Sequence, residues 1–263
     1  QHVHGTDNAR CLISLALMTG NVGKRGSGLH PLRGQNNVQG ASDAGLIPMM
    51  YPDYQLVEKN NNKDFFEKFW NTSLDEKKGL TVVEIMDAIH EDVIEGMYIL
   101  GENPAMSDPD LNHAREALQK LDHLVVQDIF LTETATYADV IFPASAWPEK
   151  NGTVTNTNRQ VQMGRKAINS PGNAKEDWWI TNELGKRMGL NWNYEHPKDI
   201  YEEMSRTMPS LNNISWDRLD NENSVTYPSQ SPTTPGDEIV FGDRFPNETG
   251  KGKFVPASVT PPN

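Results

Sequence analysis

The chain has 263 residues, 36% of them hydrophobic, and carries 36 acidic against 24 basic side chains, for a net charge of −12 and a pI near 5.0. That length and apolar content suffice for one large domain or two small ones. The acidic balance excludes the basic footprint of a nucleic-acid binder, and the single cysteine, Cys11, excludes a disulfide framework within the chain.

Residues 6–19 are predicted to form the first helix. Thr6 is suited to cap it, and "CLISLALM" is apolar nearly all round, so the helix is expected to be well buried with Cys11 as a core thiol. "TGNVGKRGSG" follows with four glycines, a loop that needs unusual backbone angles. Next comes "PLRGQNNVQG" (31–40), which sets one charge, Arg33, among two glycines and four side-chain amides, Gln35, Asn36, Asn37 and Gln39.

From 43 to 146 the pattern alternates strand and helix. "NNN" at 60–62 reads as a surface turn and 64–70 as a short amphipathic helix. Thr81 and Glu84 form a capping box that opens a helix to about residue 92. A short buried strand spans 97–100, "GENPAMSDPD" is a loop, and Asp108 with Pro109 opens a helix to about residue 120. Strands at 123–128 and 139–144 flank a helical turn at 132–138. Short apolar strands alternating with helices predict a parallel sheet covered on both faces. After 147 the character changes. Residues 153–156 and 160–163 alternate like antiparallel strands, and helices are predicted at 175–189, ended by Gly189, and at 197–207. Beyond 209 the chain is rich in Pro, Ser, Asn and Thr and reads as loop.

No apolar run approaches the roughly 20 residues that span a membrane. Asn151-Gly152-Thr153 matches a glycosylation acceptor, but the sequence shows no secretory signal, so the match is discounted and a cytoplasmic location is expected. The histidines stand apart, without H-x-x-x-H, C-x-x-C or H-E-x-x-H, so no protein-built metal site is expected; G-x-S-x-G is missing too.

Ligands of open parallel sheets sit outside the carboxyl ends of the strands. Here those ends carry Gly101, Glu102 and Asn103 after one strand and Gln127 and Asp128 on the next, with Ser107 and Asp108 at an expected helix start. Gly101 lets a ligand approach the backbone, while the carboxylates and amides suit ribose hydroxyls and a purine edge. Spacing alone ranks ordinary turn residues and caps ahead of a nucleotide site, because no G-x-G-x-x-G or Walker motif is present. Arg33 has few carboxylates near it in sequence, Asp43 being ten residues on. Its guanidinium can present a fork to a small anion, although bonding loop carbonyls is the commoner fate of such a residue.

Together, "LMTGNVGKRGSGLHPLRGQNNVQGASDAG", "LGENP", "VVQDIFLTETATYADVIFPASAWPEKNGTVTNTNRQVQ" and "EDWWITNELGKRMG" resemble the molybdenum- or tungsten-dependent formate dehydrogenase large subunit, within the dimethyl-sulfoxide reductase superfamily. The resemblance runs the length of the chain. It implies an α/β, parallel-sheet, Rossmann-like nucleotide-binding domain with a flanking helix and loop segment and a mixed α+β carboxy-terminal segment. It implies a bis-molybdopterin guanine dinucleotide cofactor with Mo or W, formate as substrate, oxidation to carbon dioxide with two electrons removed, and electron-transfer subunits or domains as partners. By matching motif, Arg33 would orient formate, Gln35 would touch the active site or pterin, and Gly101, Glu102, Asn103, Ser107, Gln127 and Asp128 would hold one guanosine end. The expected division is 1–42 as helix plus active-site loop, 43–146 as dinucleotide-binding domain, 147–208 as part of a partner domain, and 209–263 as a linker. The family's iron–sulfur cysteines and its metal-ligating cysteine or selenocysteine are not in the sequence, so the chain is expected to be an internal section, inactive alone. Two other readings stay open: another molybdopterin oxidoreductase, nitrate reductase-like, or a nucleotide-binding module without redox chemistry.

Overall fold

The structure, a computed structural model, describes residues 4–258; the parts of the first and last expected segments at 1–3 and 259–263 lie outside the described residues. Chain order is α1 (Gly5–Met18), α2 (Val38–Asp43), β1 (Met50–Tyr51), β2 (Gln55–Leu56), α3 (Asn60–Trp70), α4 (Val82–His90), β3 (Gly96–Leu100), α5 (Pro104–Ser107), α6 (Leu111–Lys120) and β4 (His123–Asp128). It continues with β5 (Val140–Pro143), β6 (Gly152–Thr155), β7 (Gln160–Gly164), α7 (Asp177–Arg187), α8 (Pro197–Thr207), α9 (Trp216–Glu222) and β8 (Ser224–Thr226). The architecture is mixed α/β. A parallel sheet has the order β3-β4-β5, an antiparallel one has β6-β7-β8, and β1 and β2 form a separate antiparallel pair.

The parallel sheet is built as its sequence directs. Ile99, Leu124 and Val126 point to one face and are at most 4% exposed there, packed with Ala105, Leu118 and Ala135 from α5, α6 and the turn before β5. Behind them Met86 and Ile89 of α4 meet Ala114 and Ala117 of α6. The small alanines let those two helices approach closely. The Thr81–Glu84 capping box starts α4 as expected, with Glu84 accepting from the Thr81 N–H at 2.7 Å and from the Thr81 hydroxyl at 2.8 Å; those two bonds hold the Glu84 carboxyl below its usual range.

The expected cover on both faces forms only in part. On the opposite face Tyr98 and Leu100 remain 41% and 49% exposed. An all-apolar strand such as "GMYIL" carries no alternation to mark an open side, which is why its pattern reads as doubly buried. Helix α1 departs in the same way. His4, not Thr6, stands at its cap; Leu12, Leu15 and Met18 are 60%, 58% and 75% exposed, and Cys11 is exposed rather than a core thiol. A helix that is apolar all round is buried only where neighbours surround it, and the tail near Gly252 lies against its Leu17 side.

Other boundaries shift locally. Asn60–Asn62 open α3 rather than forming a separate turn, and Asn62 Nδ2 donates to the Leu56 carbonyl at 3.0 Å, tying the helix start to β2. The loop expected at 101–110 contains α5, and α6 is capped by Asp110, which accepts from the His113 N–H, instead of by Asp108. Beyond 209 the chain is not simply loop. Leu211, Ile214, Trp216, Leu219 and Val225 fill a core with Val161 of β7 and Tyr201 and Met208 of the α8 region, and β8 completes the second sheet. These apolar residues are spaced among prolines and asparagines, which hides their periodicity. Among the described residues no helix is long and apolar enough to cross a membrane.

Candidate functional site

The 31–40 loop is fixed at its far end by Asn37. That residue adopts a left-handed conformation, φ 65°, which asparagine tolerates better than most, and so turns the chain into α2. Its Oδ1 accepts from the Thr155 N–H of β6 at 2.9 Å. Gly40 lies in that contact: a Cβ there would meet Asn37 Oδ1 at 2.1 Å and Thr155 N at 3.2 Å. Gly40→Ala is therefore expected to destabilise by roughly 1–3 kcal/mol through overpacking, lowering Tm by several degrees. An unchanged melting curve would show that the contact yields freely.

The two polar strand exits lie side by side. Leu100 and Gln127 are in register, and the Gly101 N–H donates to the Gln127 carbonyl at 2.9 Å. Gly101 sits at φ 64° and a Cβ there would meet nothing within 4 Å, so its outer side is open space. Glu102 is exposed with no hydrogen bond among the described residues. Asn103 is committed to structure: its Oδ1 accepts from the Thr134 N–H and hydroxyl at 3.1 and 2.7 Å, and its Nδ2 donates to Glu133 at 2.8 Å. Asp128 uses Oδ1 to cap the Ile129 N–H at 2.6 Å, leaving Oδ2. Ser107 is exposed, but it ends α5, with Asp108 behind it, so neither stands among free N–H groups at a helix start as the sequence suggested.

A groove of about 730 Å³ brings the loop and the first exit together. Gln35, Asn36 and Asn37 line one side, Gly101 and Glu102 another, and Trp147, Lys150, Asp177 and Trp178 lie between. Gln127 does not reach it. This side chain is fully buried, accepts from the Tyr98 hydroxyl and donates from Nε2 to Asp177 Oδ1 at 2.7 Å. Asp177 also pairs with Lys150, whose Nζ donates to the Ser145 carbonyl at 2.9 Å. A hydrogen-bonded line thus runs from the sheet interior to a cation on the groove wall. Lys150 and Asp177 are not found by reading the sequence for site residues. Their signal is slight, a lone lysine after "WPE" and an acid in the first turn of a helix.

Arg33 is exposed, and its one side-chain hydrogen bond among the described residues runs from its Nη2 to Gln39 Oε1, 3.3 Å away. Asp43, the nearest candidate carboxylate in sequence, does not pair with it directly. Asp43 is 4% exposed; its Oδ1 accepts from Gln39 Nε2 at 2.7 Å and its Oδ2 from the Tyr227 hydroxyl at 2.9 Å. Burial raises the Asp43 carboxyl above its usual range against the opposing hydrogen bonds of Tyr227, Gln39 and Tyr54, and burial beside Asp43 pushes the Tyr227 phenol up as well.

A parallel-sheet α/β fold in which the carboxyl end of β3 opens on a groove of this size, lined by amides and indoles, is suited to holding a ligand. The chain belongs to the molybdopterin oxidoreductase family, whose sequence profile matches residues 1–187. It is 46% identical over 258 residues to the F420-dependent formate dehydrogenase subunit alpha of Methanocaldococcus jannaschii, covering 97% of this chain and 38% of that protein. It is 42% identical over 259 residues to the F420-dependent formate dehydrogenase 2 subunit alpha of Methanococcus maripaludis, again covering 97% of this chain and 38% of that one. The chain therefore spans well under half the length of both relatives. Among solved structures, acetylene hydratase from Pelobacter acetylenicus aligns over 70% of this chain and 27% of its own with 18% identity and a TM-score of 0.48.

Proposed function

We propose that the full-length protein is the large subunit of a formate dehydrogenase, oxidising formate to carbon dioxide, a proton and two electrons. The observation that carries this reading is Arg33, an exposed guanidinium that among the described residues is answered only by a neutral amide oxygen, two residues before a groove-lining glutamine. A guanidinium without a carboxylate partner keeps its fork free for a small planar anion. The relatives named above, both formate dehydrogenase alpha subunits, support formate as that anion.

The residues present fit a pterin dinucleotide. The groove volume lies within the range of sites that bury a large ligand. Gln35, Asn36 and Asn37 offer donors and acceptors together, as a pterin ring demands, and Gly101 leaves room for a flat group against the backbone. In this reading the cofactor is the bis-guanine-dinucleotide form with molybdenum or tungsten, and it supplies the acceptance of two electrons. Arg33 binds the two formate oxygens and sets their direction. Gln35 contacts the pterin or the substrate beside it. Glu102, the Oδ2 of Asp128 and the Ser107 hydroxyl accept from guanosine donors. Gly101, Asn103 and Gln127 hold the strand exits in shape. An iron–sulfur cluster and partner subunits or domains outside this chain, in the cytoplasm, would supply the route for those electrons.

The test is purification of the full-length protein followed by elemental analysis and assays with formate and with nitrate. Formate-dependent dye reduction with about one molybdenum or tungsten per chain is expected. Nitrate reduction without formate oxidation would move the reading to a nitrate reductase-like enzyme. Absence of both metal and pterin would leave a nucleotide-binding module.

A further inference from the structure

The link between Arg33 and Asp43 runs through an amide with a defined polarity. Arg33 has only donors to offer, and an ionised Asp43 only acceptors. Gln39 satisfies both in one orientation, with Oε1 toward Arg33 at 3.3 Å and Nε2 toward Asp43 Oδ1 at 2.7 Å. Turned over, the same amide would set donor against donor at Arg33 and acceptor against acceptor at Asp43. The surroundings favour the first orientation. The Tyr54 and Tyr227 hydroxyl oxygens lie 3.1 and 3.4 Å from Nε2, so the amide nitrogen faces acceptors on three sides.

The partners of Asp43 are themselves held from several directions. Tyr227 lies after β8, its carbonyl accepting from Arg159. Tyr54 follows Asp53 in a turn where both adopt left-handed angles, φ 62° and 57°, a strained pair for residues with side chains. Asp53 Oδ2 secures that turn by accepting from the Ser210 N–H at 3.0 Å. Backbone strain of this kind persists only where surrounding contacts enforce it, and here it delivers a phenol to the Gln39 amide.

We infer that Asp43 is a positioning residue for the substrate anion: its buried carboxylate fixes the polarity of the Gln39 amide, and Gln39 Oε1 in turn aims the Arg33 guanidinium. The inference rests on the reading of Arg33 as the formate-binding residue. It adds that the aim of the fork is set from inside the fold, two hydrogen bonds away, and not by the glycine-flanked loop that carries it.

A double-mutant cycle on the full-length holoenzyme tests this, with kcat/KM for formate expressed per bound metal. Asp43→Asn keeps the shape of the side chain but supplies a donor as well as an acceptor, so Gln39 is no longer held to one orientation. It is expected to lose about tenfold in kcat/KM, mainly through KM, the scale of one charge-assisted hydrogen bond. In an Arg33→Lys background the same change is expected to cost less than about twofold, because a residue acting only through the guanidinium has nothing left to aim. Full additivity would assign Asp43 a purely structural role and overturn the inference while leaving Arg33 in place. If Arg33→Lys alone leaves kcat/KM per metal unchanged, the reading of Arg33 falls, and this inference with it. If Asp43→Asn fails to retain metal, Gln39→Met, which keeps the length of the side chain and removes both polar ends, takes its place in the cycle. Loss of its effect in the Arg33→Lys background then supports the inference, and full additivity overturns it.

Discussion

Replacing Arg33 by lysine is expected to lower kcat/KM for formate by about tenfold to a hundredfold per bound metal in the full-length enzyme. Lysine preserves the positive charge, so attraction for the anion survives. It loses the planar fork that sets the direction of a carboxylate. A hydrogen bond to a charged group contributes roughly 1.5–3 kcal/mol, and about 1.4 kcal/mol is a factor of ten. The structure sharpens this expectation. One edge of the guanidinium is already committed to Gln39 Oε1 at 3.3 Å, so the remaining edge must do the binding, and an ammonium cannot serve both partners in fixed directions. If Arg33 merely props its loop, the variant should lose molybdenum or tungsten and pterin in step with activity. Equal kcat/KM per metal in the two proteins would then remove Arg33 from the substrate's path.

Much of this arrangement was legible in the sequence, for reasons that can be named. The Thr81–Glu84 box, the apolar runs at 97–100 and 123–128 and the glycine at 189 are local signals, and each produced the expected element. The adjacency of Gly101 and Gln127 followed from parallel pairing of consecutive strands. What sequence could not disclose is where side chains are spent. The family resemblance gives Gln127 and Asn103 a ligand-holding role, while their spacing alone ranks ordinary turn and cap roles first. Here Tyr98 and Asp177 engage the first, and Thr134 and Glu133 the second, all contacts between residues roughly 30 to 50 positions apart. Asp43 and Tyr227 are separated by 184 positions, and nothing in either neighbourhood announces the other. Exposure was equally hidden. The apolar character of α1 and of "GMYIL" states a capacity for burial, and whether a neighbour supplies it is decided by tertiary structure.

The largest expected effect on stability belongs to Arg218, on the inner side of α9. It is 8% exposed and reaches a loop that a reading from composition treats as linker. Its Nη1 donates to the Asn213 carbonyl, Ser229 Oγ and the Ser231 carbonyl at 2.8, 2.9 and 3.0 Å, and its Nη2 to the Thr234 carbonyl at 2.7 Å. Together with Arg159, which donates to the Tyr227, Asp237 and Glu238 carbonyls, it fastens residues 227–238 to the antiparallel sheet. Arg218→Met keeps the aliphatic stem and deletes the fork. Several carbonyls in a half-buried loop then lose their donor, each at a cost of roughly 1–3 kcal/mol unless water reaches it. A net loss of about 3–5 kcal/mol is expected, in line with the removal of one partner from a buried charged network, and Tm should fall by roughly 6–20 °C. Glu222 provides the control. It accepts from Arg218 Nε at 2.9 Å, but its side chain is 47% exposed, so Glu222→Gln should change stability by no more than about 1 kcal/mol. The loop released by Arg218→Met should also become the first site of proteolytic cleavage. A melting temperature within about 2 °C of the parent, with the loop still resistant, would mean that the clamp is redundant with Arg159.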